Sequence, residues 1–450
     1  MNVLPAIACR IVFGLVLMTT LAGCGTHADR LFLVREKFFQ GDLAATRSEI
    51  ERLLEDPQRD EDVLLLDRAV VDLAAGRPKD AERTLRIVRD RFDHLEQKDA
   101  AEFVKSMMTD DTRLAYSGED HEKVLVRAFL VLSNLMGDGL DAEAYSLQIA
   151  DEQQDLIQKA GGFEEHPELE GMQVALGPYV RAMLQEETQT NVDEVIRNRA
   201  MVASWQPGFR DGKVDLARAE QSAPCAPGNG VVYLFAMIGR GPTKEERLEV
   251  PTQAALLVAD RILSATQKQD LPPTIAPIRV PIVVKRFNRI DHLDVKVNDS
   301  PAGETATLVD VGQLAEAHFQ AKSAEIIGRA IARRAIKKGA VYAVKEGVSA
   351  ESSPAVNLLL NLAGIAWEAT EAPDTRCWGL LPDRIQVLRL ELPAGDHEVE
   401  LCPADRQIRF GAPVLTNVHV DDGRNACLLV NFPEERLIGQ VLKSSSDQAE

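Results

Sequence analysis

The hydrophobic periodicity of this chain changes kind once, near residue 208, and that switch constrains the fold more than any other feature. From residue 31 to about 205, apolar residues return every three or four positions between good helix formers, which predicts amphipathic helices. Beyond it come short β-branched runs, GVVYLFAMIG, IRVPIVVKRF, HLDVKVND and ETATLVDV, separated by Pro, Gly and Asn/Asp signals. Helices followed by strands argue for an all-α unit ahead of an α+β unit. The intervening 208–230, GFRDGKVDLARAEQSAPCAPGNG, follows neither period and is expected to be a linker. The chain therefore reads as multidomain: a helical array over 31–207, an α/β region over 231–350, an apolar helix and connection over 351–381, a small β-sandwich-like module over 382–436 and a tail over 437–450.

Three windows of the helical half look like variants of one unit: LFLVREKFFQGDLAATRSEIERLL, LLLDRAVVDLAAGRPKDAERTLRIV and VLVRAFLVLSNLMGDGLDAEAYSLQI. Each is helix, turn, helix, with Gly41, Gly76 and Gly137 placed in the turn. Five residues on stand Thr46, Ala81 and Ala142, small enough to let two helices approach closely. The first two glycines are 35 residues apart, near the roughly 34 of a tetratricopeptide (TPR) repeat. Such paired helices cannot bury their apolar faces singly, so they stack and create a surface suited to a protein partner. A weaker fourth unit covers 176–207.

In the second half, 313–344 reads as one long helix that clusters Arg329, Arg333, Arg334, Lys337 and Lys338. Basic charge beside an apolar face suits a membrane surface or an acidic partner. The competing account is a core helix whose arginines pair within this acidic chain. The apolar stretch 355–366 falls short of the roughly 20 residues a spanning helix needs.

Near the N-terminus, an apolar run over 11–21 ends in Leu21, Ala22, Gly23 and Cys24, and this LAGC resembles the lipobox of bacterial lipoproteins. The resemblance implies a signal peptide over 1–23, lipidation and acylation of Cys24, and a tether over 24–30. Two or more acyl chains give stable anchoring. Gly25 in place of Asp favours the outer membrane where the cell has one.

Removing 1–23 takes away Arg10 and no acid, leaving 50 basic against 70 acidic side chains, a balance of −20. Nucleic acid and anionic lipid are repelled overall, and three Trp with five Tyr offer little stacking surface. Four cysteines remain besides Cys24: Cys225, Cys377, Cys402 and Cys427. Outside the cytoplasm they permit disulfides, and Cys402 with Cys427, each on a strand-like run, is the pair we name, although four thiols allow three pairings.

No catalytic constellation is visible. GRGPTKEER lacks the form of a phosphate loop, the eight histidines show no HxxH or HExxH spacing, and no GxSxG elbow occurs. No metal, cofactor or catalytic residue is assigned. LAGC, the GED-x-EKVL stretch over 118–125, GxGP-K-EER over 239–247 and DTR-x-W-x-LP over 374–382 together resemble a family of bacterial lipoproteins with TPR-like repeats. LPAGDHEVEL and VHVDDGRNACLLV resemble the small β modules called PEGA domains. The first resemblance implies an anchored helical-repeat protein and brings no established activity.

The expectation is a lipid-anchored, non-enzymatic scaffold of the bacterial envelope that holds a protein partner through its repeats. The alternatives are an envelope-polymer binding protein acting through the C-terminal β module, and an enzyme whose site is assembled from distant residues.

Overall fold

The computed structural model describes residues 27–96, 115–164, 173–189, 191–222, 225–265, 277–348 and 373–444, without the side chains of 27–29, 265 and 337–348. Cys24 and the stretch 355–366 lie outside the described residues. Among those described, the helical half comprises α1 (His27–Phe39), α2 (Leu43–Leu54), α3 (Glu61–Ala74), α4 (Pro78–Glu96), α5 (Asp120–Leu135), α6 (Ala142–Lys159), α7 (Leu176–Thr188), α8 (Val192–Trp205) and α9 (Gly212–Glu220). Each helix packs on the one before it, as stacked helix pairs must to bury their apolar stripes.

The expected turns are present. Gly41 and Gly76 take φ of +85° and +77°, and behind each the 6→1 hydrogen bond of a Schellman cap closes the preceding helix, from Asp42 N–H to Lys37 O and from Arg77 N–H to Asp72 O. In the third unit Gly139, at φ +72°, takes the left-handed position, and Gly137 does not. In the MGDGLD turn both Gly137 N–H and Gly139 N–H reach back to Asn134 O, each at 2.9 Å. Thr46, Ala81 and Ala142 are all fully buried, as close helix approach requires.

The second half contains β1 (Asn229–Arg240), β2 (Thr243–Glu249), α10 (Gln253–Ala265), β3 (Ile278–Val284), β4 (His292–Val297), β5 (Ser300–Glu304), β6 (Ala306–Asp310), α11 (Val311–Val348), β7 (Pro382–Pro393), β8 (Gly395–Ala404), β9 (Val414–Val420), β10 (Asn425–Phe432) and β11 (Leu442–Lys443). A mixed sheet has the order β11-β10-β1-β7-β6, with β1 parallel to β10 and antiparallel to β7. An antiparallel sheet has the order β5-β4-β8-β9, and β2 pairs with β3 in a separate ribbon.

β1 explains how the two halves join. Its even side chains, Val232, Leu234, Ala236 and Ile238, pack between the sheets against Leu293, Val295, Val399, Leu401 and Val418. Its odd ones, Val231, Tyr233, Phe235 and Met237, face the helices and share one core with Leu31, Leu66, Phe129 and Tyr179. A strand covered on both faces reads as a continuous apolar run, which is what GVVYLFAMIG is.

Three expectations change. The stretch 208–230 carries helix α9, because Asp215 is buried and bound by Arg199 at 3.3 Å and Arg218 at 2.6 Å. A sandwich does form, but 382–436 does not build it alone: β7 and β10 flank β1, while β8 and β9 extend the sheet of β4 and β5. Its period-2 pattern could not show which earlier strands it would join. Of 437–450, the part over 437–444 is packed: Ile438 and Leu442 are buried, and Gln440 N–H donates to Ala74 O at 3.2 Å.

Cys402 and Cys427 remain thiols, as do Cys225 and Cys377. They stand on different sheets, and their neighbours Leu401 and Leu428 fill the layer between the sheets, so both sulfurs turn away from it. No described helix is long and apolar enough to cross a membrane.

Candidate functional site

Three stretches that the sequence singles out, 118–125, 239–247 and 374–382, meet at one buried junction. Glu122 sits in the first turn of α5, where its carboxylate accepts the Glu119 N–H at 3.0 Å, half of a capping box. The same carboxylate accepts the Tyr116 hydroxyl and, at 2.7 Å, the main-chain N–H of Trp378. Leu380 N–H donates to Asp67 of α3 at 3.2 Å, and Arg35 of α1 donates to the Cys377 carbonyl at 3.1 Å. Arg376 binds Asp374 at 2.6 Å and donates to the Arg59 carbonyl at 2.9 Å. The segment 374–381 is thus gripped along its backbone by three helices of the array, in the manner of a bound peptide.

Side chains complete the grip. Trp378 is 1 % exposed and its ring lies 4.9 Å from that of Phe129. Gly379 leaves the space that the Arg35 guanidinium fills, since a Cβ there would fall 2.0 Å from it and force it to move. From the 239–247 stretch, Gly241 N–H donates to Leu381 O at 2.8 Å and Lys244 pairs with Glu119 at 2.6 Å. α11 closes the far side through Lys322, 2.6 Å from Asp120.

The electrostatics of this nest are unusual. Burial, reinforced by the nearby Glu119, pushes the Glu122 carboxyl up to about 7. Burial lifts Asp67 to about 6 even though Arg35 opposes it. Burial also drives His121 down to about 3, which keeps it neutral, and raises the Cys377 thiol. Perturbed acids beside a thiol and an imidazole are the marks of many active sites. The cavity among His121, Glu122, Lys244, Cys377 and Trp378 is small, about 10 Å³, no more than one water needs.

An open cleft among the described residues of the array lies elsewhere. A cleft of about 440 Å³ runs between α4 and α6, lined by Arg89, Asp90 and Asp93, by Arg127 of α5, and by Gln148, Asp151, Glu152 and Asp155. Arg127 spans it, 2.8 Å from Asp93 and 2.7 Å from Glu152. Five carboxylates against two arginines leave a local negative excess. Ile87 and Leu147, each one turn before a lining residue on its helix, are 42 % and 41 % exposed.

The three described arginines of α11 are each engaged within the chain. Arg333 is buried, Arg329 is held by Glu325 one turn earlier, and Arg334 donates to the Pro277 carbonyl at 3.1 Å. The side chains of Lys337 and Lys338 lie outside the described residues. Among the described residues, one histidine–carboxylate group brings ligand atoms within 4.8 Å, His292 with Asp294 and Glu304, a convergence that no HxxH spacing announces. No protein-family model, curated protein or solved structure matches this chain.

Proposed function

We propose that this chain is a lipid-anchored, non-enzymatic scaffold of the bacterial envelope that captures a basic segment of a partner protein in the α4–α6 cleft. The observation that carries it is the division of the helical array. One side is filled by the chain's own sheet and by 374–381, while the cleft between α4 and α6 stands open with its acidic lining. Exposed Ile87 and Leu147 add apolar contact beside the charge, the mixture an amphipathic basic segment requires. Support for the anchor comes from the LAGC stretch ending at Cys24. The non-enzymatic reading follows the sequence, in which no catalytic motif was found.

The test is crosslinking in cells expressing tagged protein, comparing wild type, Cys24→Ala and the triple variant Asp90→Lys, Asp151→Lys, Asp155→Lys. A protein partner is expected from the membrane fraction with wild type, reduced tenfold or more by the charge reversals and weakened by salt. Release of the Cys24→Ala protein from membranes is expected alongside. Equal capture by wild type and the triple variant would refute the cleft. Capture of envelope polymer with no protein would move recognition to the C-terminal strands.

A further inference from the structure

We propose that His292, Asp294 and Glu304 form a binding site for one divalent transition-metal ion of zinc type on the outer face of the β4–β5 hairpin. His292 and Asp294 are two residues apart on β4 and so share a face, the alternate residues Leu293, Val295 and Val297 being buried in the sandwich. Glu304, at the end of β5, stands directly opposite Asp294 in the antiparallel register. His292 Nε2 lies 3.2 Å from Asp294 Oδ1 and 3.4 Å from Glu304 Oε2. A tetrahedral ion with nitrogen and oxygen ligands at about 2.0–2.1 Å holds neighbouring ligand atoms roughly 3.3–3.4 Å apart. The imidazole already stands at that spacing from both carboxylates.

A second observation concerns the arginines around the group. Arg409 holds Asp294 through Oδ2, and Arg210 holds Glu304 through Oε1 and through its main-chain carbonyl. Each arginine takes the outer oxygen of its carboxylate and leaves the inner one, Oδ1 or Oε2, turned to the imidazole. Outer partners that fix a ligand's orientation are a regular feature of metal sites. Beyond His292 Nδ1 stands Asp291, its Oδ2 3.8 Å away and its Oδ1 held by Arg384 at 2.8 Å.

Hydrogen bonding joins Nε2 to Asp294 Oδ1 and leaves Glu304 Oε2 facing the same nitrogen without a bond to it. Nε2 carries at most one proton, yet two carboxylate oxygens converge on it, whereas a single cation meets all three lone pairs. The two arginines balance the two carboxylates, so an ion is held by coordination more than by net charge. Three protein ligands leave the fourth position to water. Arg210 comes from the connection between α8 and α9, so its bonds to Glu304 already tie the β4–β5 hairpin to the helical half. The inference does not depend on the partner cleft.

The test uses the full-length protein in detergent, stripped with chelator, then titrated with Zn²⁺ by calorimetry and with Co²⁺ by visible absorption. One saturable equivalent is expected, with the intense absorption of tetrahedral Co²⁺. Affinity should fall at least 100-fold in His292→Ala. The near-isosteric Asp294→Asn, checked for an unchanged apo circular-dichroism spectrum, should lose tenfold or more. Zn²⁺ binding by wild type no tighter than by His292→Ala, or unchanged affinity in a folded Asp294→Asn, would overturn the proposal.

Discussion

Replacing Glu122 with Gln separates the two forces that act on the central carboxyl. In the native junction Oε1 accepts the Trp378 N–H at 2.7 Å, while Oε2 accepts the Glu119 N–H at 3.0 Å and the Tyr116 hydroxyl. Glutamine keeps one acceptor oxygen. If it stays on Trp378, the amide NH₂ faces the Glu119 N–H, and one buried donor loses its partner at a cost of about 1–3 kcal/mol. Against this stands titration. Burial raises the carboxyl from 4.5 to about 7, so the folded chain holds this proton more tightly than the unfolded chain. The associated stability is fully present below pH 4.5 and is lost as pH rises through 7. Moving a carboxyl by that interval changes stability by roughly 3 kcal/mol. Glutamine does not titrate and escapes the loss. The variant should therefore be less stable than wild type by about 1–3 kcal/mol at pH 5, and equal to wild type or up to about 2 kcal/mol more stable at pH 8. Urea unfolding at both pH values, followed by Trp fluorescence, measures the difference. A destabilisation that is equal at pH 5 and pH 8, or greater at pH 8, would refute the reasoning. It would mean that the three donors stabilise the carboxylate more than burial opposes it.

Gly379→Ala should destabilise by about 3 kcal/mol, since the added methyl displaces the buried Arg35 guanidinium from the Cys377 carbonyl. Gly208→Ala, with open space around the added carbon and no positive φ, should stay within about 0.5 kcal/mol. Thermal melting of the two variants side by side checks this. Reductant should leave the unfolding midpoint unchanged, and thiol labelling after denaturation should modify Cys225, Cys377, Cys402 and Cys427. A loss of about 2–5 kcal/mol on reduction would instead reveal a disulfide.

Local signals carried the helical half and individual strands into view. The helix–turn–helix windows were legible because a 3.6-residue period, a left-handed glycine and a small residue five positions on all act within one turn or two. Thr46, Ala81 and Ala142 are buried as that pattern requires. Gly137 lies in the turn as expected, yet the left-handed position falls to Gly139: MGDGLD offers two glycines, both donate to Asn134 O, and only the backbone φ distinguishes them. The stretches 118–125, 239–247 and 374–382 stood out in the sequence, yet nothing in their spacing says that Glu122, Lys244 and Trp378 share one junction.

The sequence by itself determined where the periodicity changes, most of the helices of the first half and several strands of the second, the acidic balance of the chain and the LAGC stretch that carries Cys24. Only the tertiary structure decided that β10 would lie parallel to β1 across nearly two hundred residues of chain. It alone turned Cys402 and Cys427 to opposite outer faces and threaded 374–381 through the helical array. It also brought His292, Asp294 and Glu304 to one point. The reason is physical: secondary structure answers to neighbours a few residues away, whereas pairing, burial and convergence answer to surfaces that exist only once the chain has packed.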